Sequence, residues 1–359
     1  MRRQYFQNAR RLVVKLGTGV LTNARREPDP DQMDRLVDQV AALWRQGREV
    51  TLVSSGAVAA GMGALGFLRR PRGLSELQAC AAVGQVRLMG AYTERFARRG
   101  LLAAQVLLIH EDLADHERHL NARNTLVTLL KRRVTPIINE NDTVSFTELK
   151  FGDNDRLSAL VACLLPADAL VILTLADGVQ EGFGSPQART IPVVERIDRD
   201  LERQVRRIST QVSVGGMVTK LQAARIAMRA GIPAVIACGR KPDALLRVVA
   251  GEEEGTLFVP RGARLRSRKR WIAFFHYPKG RLIVDQGAAK ALLEQGKSLL
   301  APGVRQCEGD FRSGDIVEVC DEEGREFARG MVGFSAAAIR EGTVPRSREV
   351  IHRDNLVIL

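Results

Sequence analysis

A chain of 359 residues is long enough for about two domains, each able to bury a core. Hydrophobic residues make up 45% and charged residues 26%, as in a soluble globular protein, and no apolar run approaches the ~20 residues of a membrane helix. The net charge of +13 suits nucleic acid or an anionic substrate, but its arginines are spread too widely to choose between them.

The start, Met1-Arg2-Arg3-Gln4-Tyr5-Phe6, is basic but leads into an apolar stretch too short for a signal peptide, so a cytoplasmic location and no membrane partner are expected. The five cysteines form no C-x-x-C pair. Cys80, Cys163 and Cys238 sit among Ala, Leu and Ile, as small buried hydrophobes do, which speaks against a zinc site or a disulfide framework.

Short β-branched runs alternate with helical segments, the pattern of an α/β domain with a mainly parallel sheet. Arg11 to Leu16 reads as the first strand. A helix over about Asp31–Gln46 follows, with Met33, Leu36, Val37, Val40, Leu43 and Trp44 at helical spacing. Glu49 to Val53 is a second strand, opening through Ser54-Ser55-Gly56 into an Ala-rich helix. Further strands are expected over Leu101–Ile109, Val134–Ile138, Ala169–Leu173 and Ile232–Ala237. Further helices are expected over Leu74–Arg99, Leu120–Arg132, Asp153–Leu164 and Gly216–Ala230. After Pro260 the runs shorten and the turns become Gly-rich, with strands near Leu282–Val284, Asp315–Val319 and Glu326–Gly330 and a helix near Ala288–Gln295. The expected division is a first domain over 1–262, a linker over 263–275 and a small β-rich domain over 276–359.

The densest polar tract follows the Val134–Ile138 strand: Asn139-Glu140-Asn141-Asp142, then Gly152-Asp153-Asn154-Asp155. Beyond the end of a buried strand, such a tract can receive a small molecule that carries both donors and acceptors. An ammonium can pair with Asp142 or Asp153, and Asn139 or Asn154 can read a carboxylate. A solvated turn with helix caps would use the same residue types. Ligands of open α/β sheets bind beyond the carboxyl ends of the strands. Three more polar signatures stand there: Lys15-Leu16-Gly17-Thr18-Gly19, Ser54-Ser55-Gly56-Ala57, and Gly215-Gly216-Met217-Val218-Thr219-Lys220 at the start of a late helix. Small residues let backbone N–H groups approach an oxyanion, helix N-termini favour negative charge, and Lys15 and Lys220 add full positive charges. Together they have the chemistry of a phosphate site, although no Walker A sequence is present.

Two motifs carry no such meaning. Gly61-Met62-Gly63-Ala64-Leu65-Gly66 has the spacing G-x-G-x-x-G but lies inside a helical stretch rather than directly after a strand. Glu111, Asp112, Asp115, His116 and His119 read as a capped, solvated helix start rather than as metal ligands.

The chain resembles the amino acid kinase family over nearly its whole length, and within it the members that act on glutamate. The resemblance lies in Val13-Val14-Lys15-Leu16-Gly17-Thr18, Val53-Ser54-Ser55-Gly56-Ala57, Ala81-Ala82-Val83-Gly84-Gln85, Leu120-Asn121-Ala122-Arg123-Asn124-Thr125, the Asn139–Asp142 and Gly152–Asp155 clusters, and Gly216 to Ala224. Asp285-Gln286-Gly287-Ala288, Ser298-Leu299-Leu300 and Gly309 to Asp315 resemble a PUA domain. The resemblance implies an amino-acid-kinase-like three-layer fold with a mainly parallel sheet, followed by a small β-rich PUA-like domain. It also implies transfer of the ATP γ-phosphoryl group to the side-chain carboxylate of L-glutamate, for proline synthesis, with Mg²⁺ bridging the β- and γ-phosphates. Lys15, Asp155 and Lys220 would then be catalytic, with Asp155 holding the lysines. Ser55, Asp142, Asn154 and, by their place in the tract, Asp153 and Asn139 would serve glutamate. Lys15, Gly17, Thr174, Leu175, Gly215, Gly216, Met217, Thr219 and Lys220 would serve the nucleotide. Proline feedback, a homo-oligomer and RNA binding through the tail are further family expectations.

The sequence departs from the family pattern on the nucleotide side. Leu175 stands where the family has an aspartate, the following Asp-Pro is missing, and Val214 and Val218 replace Thr and Ser. Two rival functions remain: a kinase of the same fold with an acceptor such as acetylglutamate, carbamate or a uridine nucleotide, and an RNA-binding regulator that keeps the fold. Acetylglutamate has no free ammonium to explain the acids, and a regulator has no need of Lys15, Asp155 and Lys220 together.

Overall fold

The computed structural model describes residues 2–23, 28–144, 154–182, 188–212, 216–260 and 267–359. They divide into two compact units, Met1–Arg264 and Leu265–Leu359.

In the first unit the elements, in chain order, are α1 (Arg2–Phe6), β1 (Arg11–Leu16), α2 (Thr18–Leu21), α3 (Pro30–Arg45), β2 (Glu49–Ser54), α4 (Ala57–Ala64), α5 (Leu74–Ala97) and β3 (Leu102–Leu108). Then come α6 (His110–Ala114), α7 (His116–Lys131), β4 (Val134–Glu140), α8 (Asn154–Leu164), β5 (Ala169–Thr174), and the short strands β6 (Gln180–Glu181), β7 (Arg189–Thr190) and β8 (Val193–Val194). The unit ends with α9 (Arg199–Val212), α10 (Met217–Arg229), β9 (Ala234–Cys238), α11 (Ala244–Val249) and β10 (Thr256–Phe258).

The main sheet runs in the order β3-β4-β2-β1-β5-β9-β10-β8, and every neighbouring pair is parallel except β9 with β10. Along β2 and β9 every residue is buried. Since successive side chains point to opposite faces, both faces of the sheet centre must be covered, which is the layered arrangement expected. The chain leaves β1 toward β2 on one side and later returns to β5 on the other. The carboxyl ends of these strands therefore flank the crevice where such sheets bind ligands.

Several local rules account for the boundaries. Asp29 caps α3 by accepting from the Gln32 N–H at 3.1 Å, with Pro30 in the first turn. The α7 helix starts at His116, one turn before the expected Leu120, because Asp115 caps it through the Arg118 N–H at 2.9 Å. Asp112, in the same acidic stretch, accepts from the Ile109 N–H at 3.0 Å and so closes the first turn of α6. At the N-terminus, Arg2 is buried and donates to the carbonyls of Glu252, Glu254, Pro192 and Gly255 at 2.5–3.2 Å.

The second unit holds α12 (Ser267–Phe274), β11 (Gly280–Val284), α13 (Gln286–Gln295), β12 (Leu299–Leu300), β13 (Val304–Gly309), β14 (Ile316–Cys320), β15 (Glu326–Met331), α14 (Ala336–Arg340), β16 (Glu349–Ile351) and β17 (Leu356–Ile358). Its five-stranded sheet runs β13-β11-β14-β15-β17 around a core that includes Leu282, Phe311, Val317 and Val350. The stretch read as a linker, 263–275, contains α12, which packs on β15 and β17. Ile272, Ala273, Phe274 and Phe275 are buried, and Arg329 donates to the Ala273 carbonyl at 3.0 Å. The basic run at 261–270 hides this helix from a composition reading, whereas the apolar residues after it supply the burial.

Candidate active site

Lys15 lies near the carboxyl end of β1, flanked in register by Val53 of β2 and Ile172 of β5. Its ammonium reaches Asp155 Oδ1 at 2.6 Å. Lys220, in the first turn of α10, reaches Asp155 Oδ2 at 3.0 Å, and the Thr219 hydroxyl donates to the same oxygen at 2.9 Å. Asp155 is fully buried and sits in the first turn of α8, where the helix dipole favours a carboxylate. Both lysines are nearly buried too, at 5% and 7% exposure. In this trio two ammoniums meet one carboxylate with little solvent around them, an arrangement that favours an anion. Gly216 precedes α10 without a side-chain cap, so the first N–H groups of that helix remain available to oxyanions. Gly17 donates its own N–H to the Leu173 carbonyl at 3.1 Å, tying the loop after β1 to β5.

A neutral cluster begins one residue earlier. The Asn154 amide nitrogen donates to the Ser54 carbonyl at 3.0 Å, the Ser55 hydroxyl at 3.1 Å and Asn139 Oδ1 at 2.8 Å. Asn139 Oδ1 also accepts from the Glu140 N–H at 2.9 Å, and Asn139 Nδ2 donates to Gln85 Oε1 at 2.8 Å. Gln85 in turn donates to Gln105 at 2.9 Å. The polarity is set at two points by backbone. The Glu140 N–H can only donate, so Asn139 must face it with oxygen; the Ser54 carbonyl can only accept, so Asn154 must face it with nitrogen. Asn154 Oδ1 is thereby left as an acceptor, and no described residue donates to it. Ser55 accepts from Asn154 and keeps its own proton for another acceptor. Gly56 follows in the left-handed region, with φ +110°, and lets the chain turn from β2 into α4 with these groups at the mouth.

Asp142 lies just past the end of β4 and is partly buried. Burial pushes its carboxyl up to about 6, against the opposing pull of Arg70. A carboxylate held largely out of water gains from an arriving ammonium.

The structure thus brings Lys15, Asp155, Lys220 and Thr219 into one cluster and Ser55, Asn139 and Asn154 into another, joined by the neighbours Asn154 and Asp155. Asn139, which with Asn154 was one of two candidates for reading a carboxylate, is 2% exposed, and its amide is bonded to Gln85, Glu140 and Asn154. Asp153 and Gly215 lie outside the described residues. Thr174 ends β5, and its carbonyl accepts from the Gly239 N–H at 2.8 Å. Leu175 is 60% exposed and lies beside Gly19 at the carboxyl end of the sheet. Gly216 and Met217 open α10 beside Thr219.

Sequence reasoning missed Gln85, Tyr92 and the glycine pair that sets them. A Cβ on Gly84 would fall 1.7 Å from the Ala57 carbonyl oxygen, and one on Gly61 would fall 1.8 Å from that of Cys80. These glycines let α4 and α5 cross with backbones touching, which explains Gly61 without any dinucleotide. The crossing carries Gln85 to Asn139, and Tyr92 to the Ser54 hydroxyl at 2.9 Å. Ala81-Ala82-Val83-Gly84-Gln85 was the signal, small residues followed by an amide, but nothing local says what it faces.

A model of the amino acid kinase family matches residues 10–238, and one of the PUA domain matches residues 280–353. The chain belongs to the amino acid kinase family. Among curated relatives, the glutamate 5-kinase of Pelobacter propionicus is 46% identical, covering 100% of both chains. That of Geobacter sulfurreducens is 48% identical, again over 100% of both. That of an Azoarcus species is 48% identical over 99% of this chain and 100% of its own.

Proposed function

We infer that the protein transfers the γ-phosphoryl group of ATP to the side-chain carboxylate of L-glutamate, giving L-glutamate 5-phosphate in the first step of proline biosynthesis. The observation that carries this is the junction of the two clusters: an acceptor-bearing amide pocket at Asn154 abutting a doubly cationic cluster at Asp155. The nucleophile is a carboxylate, ionised at neutral pH, so it needs no general base. Catalysis then consists of alignment and of charge stabilisation on the transferring group. Lys15 and Lys220 supply that charge from two sides, and Asp155 keeps both ammoniums aimed. The substrate ammonium meets Asp142 and the carbonyl oxygen of Asn154, while the Ser55 proton turns to a substrate carboxylate. Acetylglutamate would bury these acceptors without a partner.

The divalent ion of the reaction is assigned as Mg²⁺. The Asp155 oxygens are engaged by Lys15, Lys220 and Thr219, and the described residues form no carboxylate cage, so among them none would hold the ion directly and it would be carried in with the nucleotide. When bound it would neutralise the β- and γ-phosphate charge. Proline shares the α-ammonium and α-carboxylate of glutamate and is the expected competitor for Asp142 and Ser55. A homo-oligomer, RNA binding by the PUA unit and a cytoplasmic location complete the proposal. Exposed Val86 and Leu102, the PUA match and five free cysteines are their respective supports.

The test is ADP release with glutamate, acetylglutamate and carbamate in wild type and Asp142→Ala. Turnover only with glutamate, and a glutamate KM raised at least about tenfold in the variant with little change for ATP, is expected. Turnover with acetylglutamate and none with glutamate overturns the assignment.

A further inference from the structure

Gln85 has no part in the reaction as described, yet it is 9% exposed and bonded at both ends of its amide. We propose that Gln85 is a positioning residue for the acceptor site, acting through Asn139 to hold Asn154 with its carbonyl oxygen toward the amino-acid substrate. The role rests on glutamate being the acceptor.

The relay has a direction. Asn154 donates to Asn139, Asn139 to Gln85, and Gln85 to Gln105, which is exposed on the edge strand β3. Without the Gln85 oxygen, Asn139 Nδ2 becomes a buried donor with no partner. The Glu140 N–H and the Asn154 nitrogen still face its Oδ1, and the Ser54 carbonyl still holds Asn154, so neither amide can turn over without losing more bonds than it gains. Asn139 instead shifts towards another acceptor or water, which loosens its bond to Asn154. Asn154 then no longer holds its carbonyl oxygen in the place where the substrate ammonium needs an acceptor. The lysine cluster is outside this chain of events, since Lys15 and Lys220 are held by Asp155.

The prediction separates positioning from plain stability. In full-length protein, Gln85→Leu should raise the glutamate KM about tenfold or more while the ATP KM stays within about twofold. Gln85→Glu keeps an oxygen for Asn139, and exposed Gln105 can turn its own nitrogen inward, so the glutamate KM should return to within about threefold of wild type. Gln85→Met carries the same test should the leucine variant not fold. An unchanged glutamate KM in the apolar variants, with only the melting temperature lowered, overturns the proposal; so does a glutamate variant no better than leucine. A wild type without glutamate-dependent turnover removes the acceptor assignment and this role with it, and is distinguishable because the unaltered protein is then the one that fails.

Discussion

Asn154 and Asp155 are neighbours in the chain, yet they belong to clusters built on opposite principles. The cluster proposed for the amino acid is a neutral network of amides and hydroxyls whose directions are set by two backbone groups. The cluster proposed for the phosphate is one of full charges, two lysines on one buried aspartate. Amides fix which atom faces the ligand, because each offers a donor and an acceptor and cannot offer both on one side. Charges fix little about direction but supply a strong field where solvent is scarce. Selecting an amino acid needs the first property, and stabilising a transferring phosphoryl group needs the second.

The contrast is open to direct attack. Its largest consequence is that Lys15→Ala or Lys220→Ala should lower kcat by about 10²–10³ with little change in glutamate KM, measured by steady-state ADP release. A change confined to glutamate KM would mean that the charges serve the wrong half. Gly84→Ala attacks the amide side through its scaffold. The added Cβ meets the Ala57 backbone, so α4 and α5 must separate, destabilising the unit by roughly 3 kcal/mol and loosening glutamate binding together with thermal stability. A melting curve like that of wild type would show that the crossing tolerates the methyl group.

Acidification sharpens the comparison further. Asp142, raised to about 6, must be ionised to meet an ammonium, so kcat/KM for glutamate should fall about tenfold per pH unit below that value. The sign for folding is opposite. The folded chain holds this proton to higher pH than the unfolded one, so at this group stability rises as pH falls from about 6 towards 4. A kcat/KM profile that is flat from pH 7 to 5 would remove Asp142 from the ammonium site. The smallest effect concerns the nucleotide edge. Leu175→Asp puts a hydrogen-bonding group on an exposed position and should lower the ATP KM by about 2–10-fold, with glutamate KM unchanged.

The strand ends and their polar signatures were legible in sequence because buried parallel strands read as continuous apolar runs with a change of composition at each end. Lys15, Ser55, Asp155 and Lys220 could be singled out as candidates in that way, and the tail could be read as β-rich from its shorter strands. Helix α12 was not legible, since its apolar residues follow a basic run that resembles a linker. The partners of Asn139 were not legible either: an asparagine at a strand end can face solvent or bond to distant amides, and its neighbours in sequence are the same in both cases.

By itself the sequence determined the alternation of strands and helices, the positions of the charged groups at strand ends, and the family to which the chain belongs. Those properties are local, carried by hydrophobic period, turn chemistry and motif. Only the tertiary structure decided that Gln85 lies 54 positions from Asn139 in sequence yet 2.8 Å away in space, and that Lys15 and Lys220 share one carboxylate. The reason is physical: an amide's polarity and an ammonium's partner depend on which groups converge from distant segments, and that convergence follows from helix crossing and sheet order rather than from any one stretch of chain.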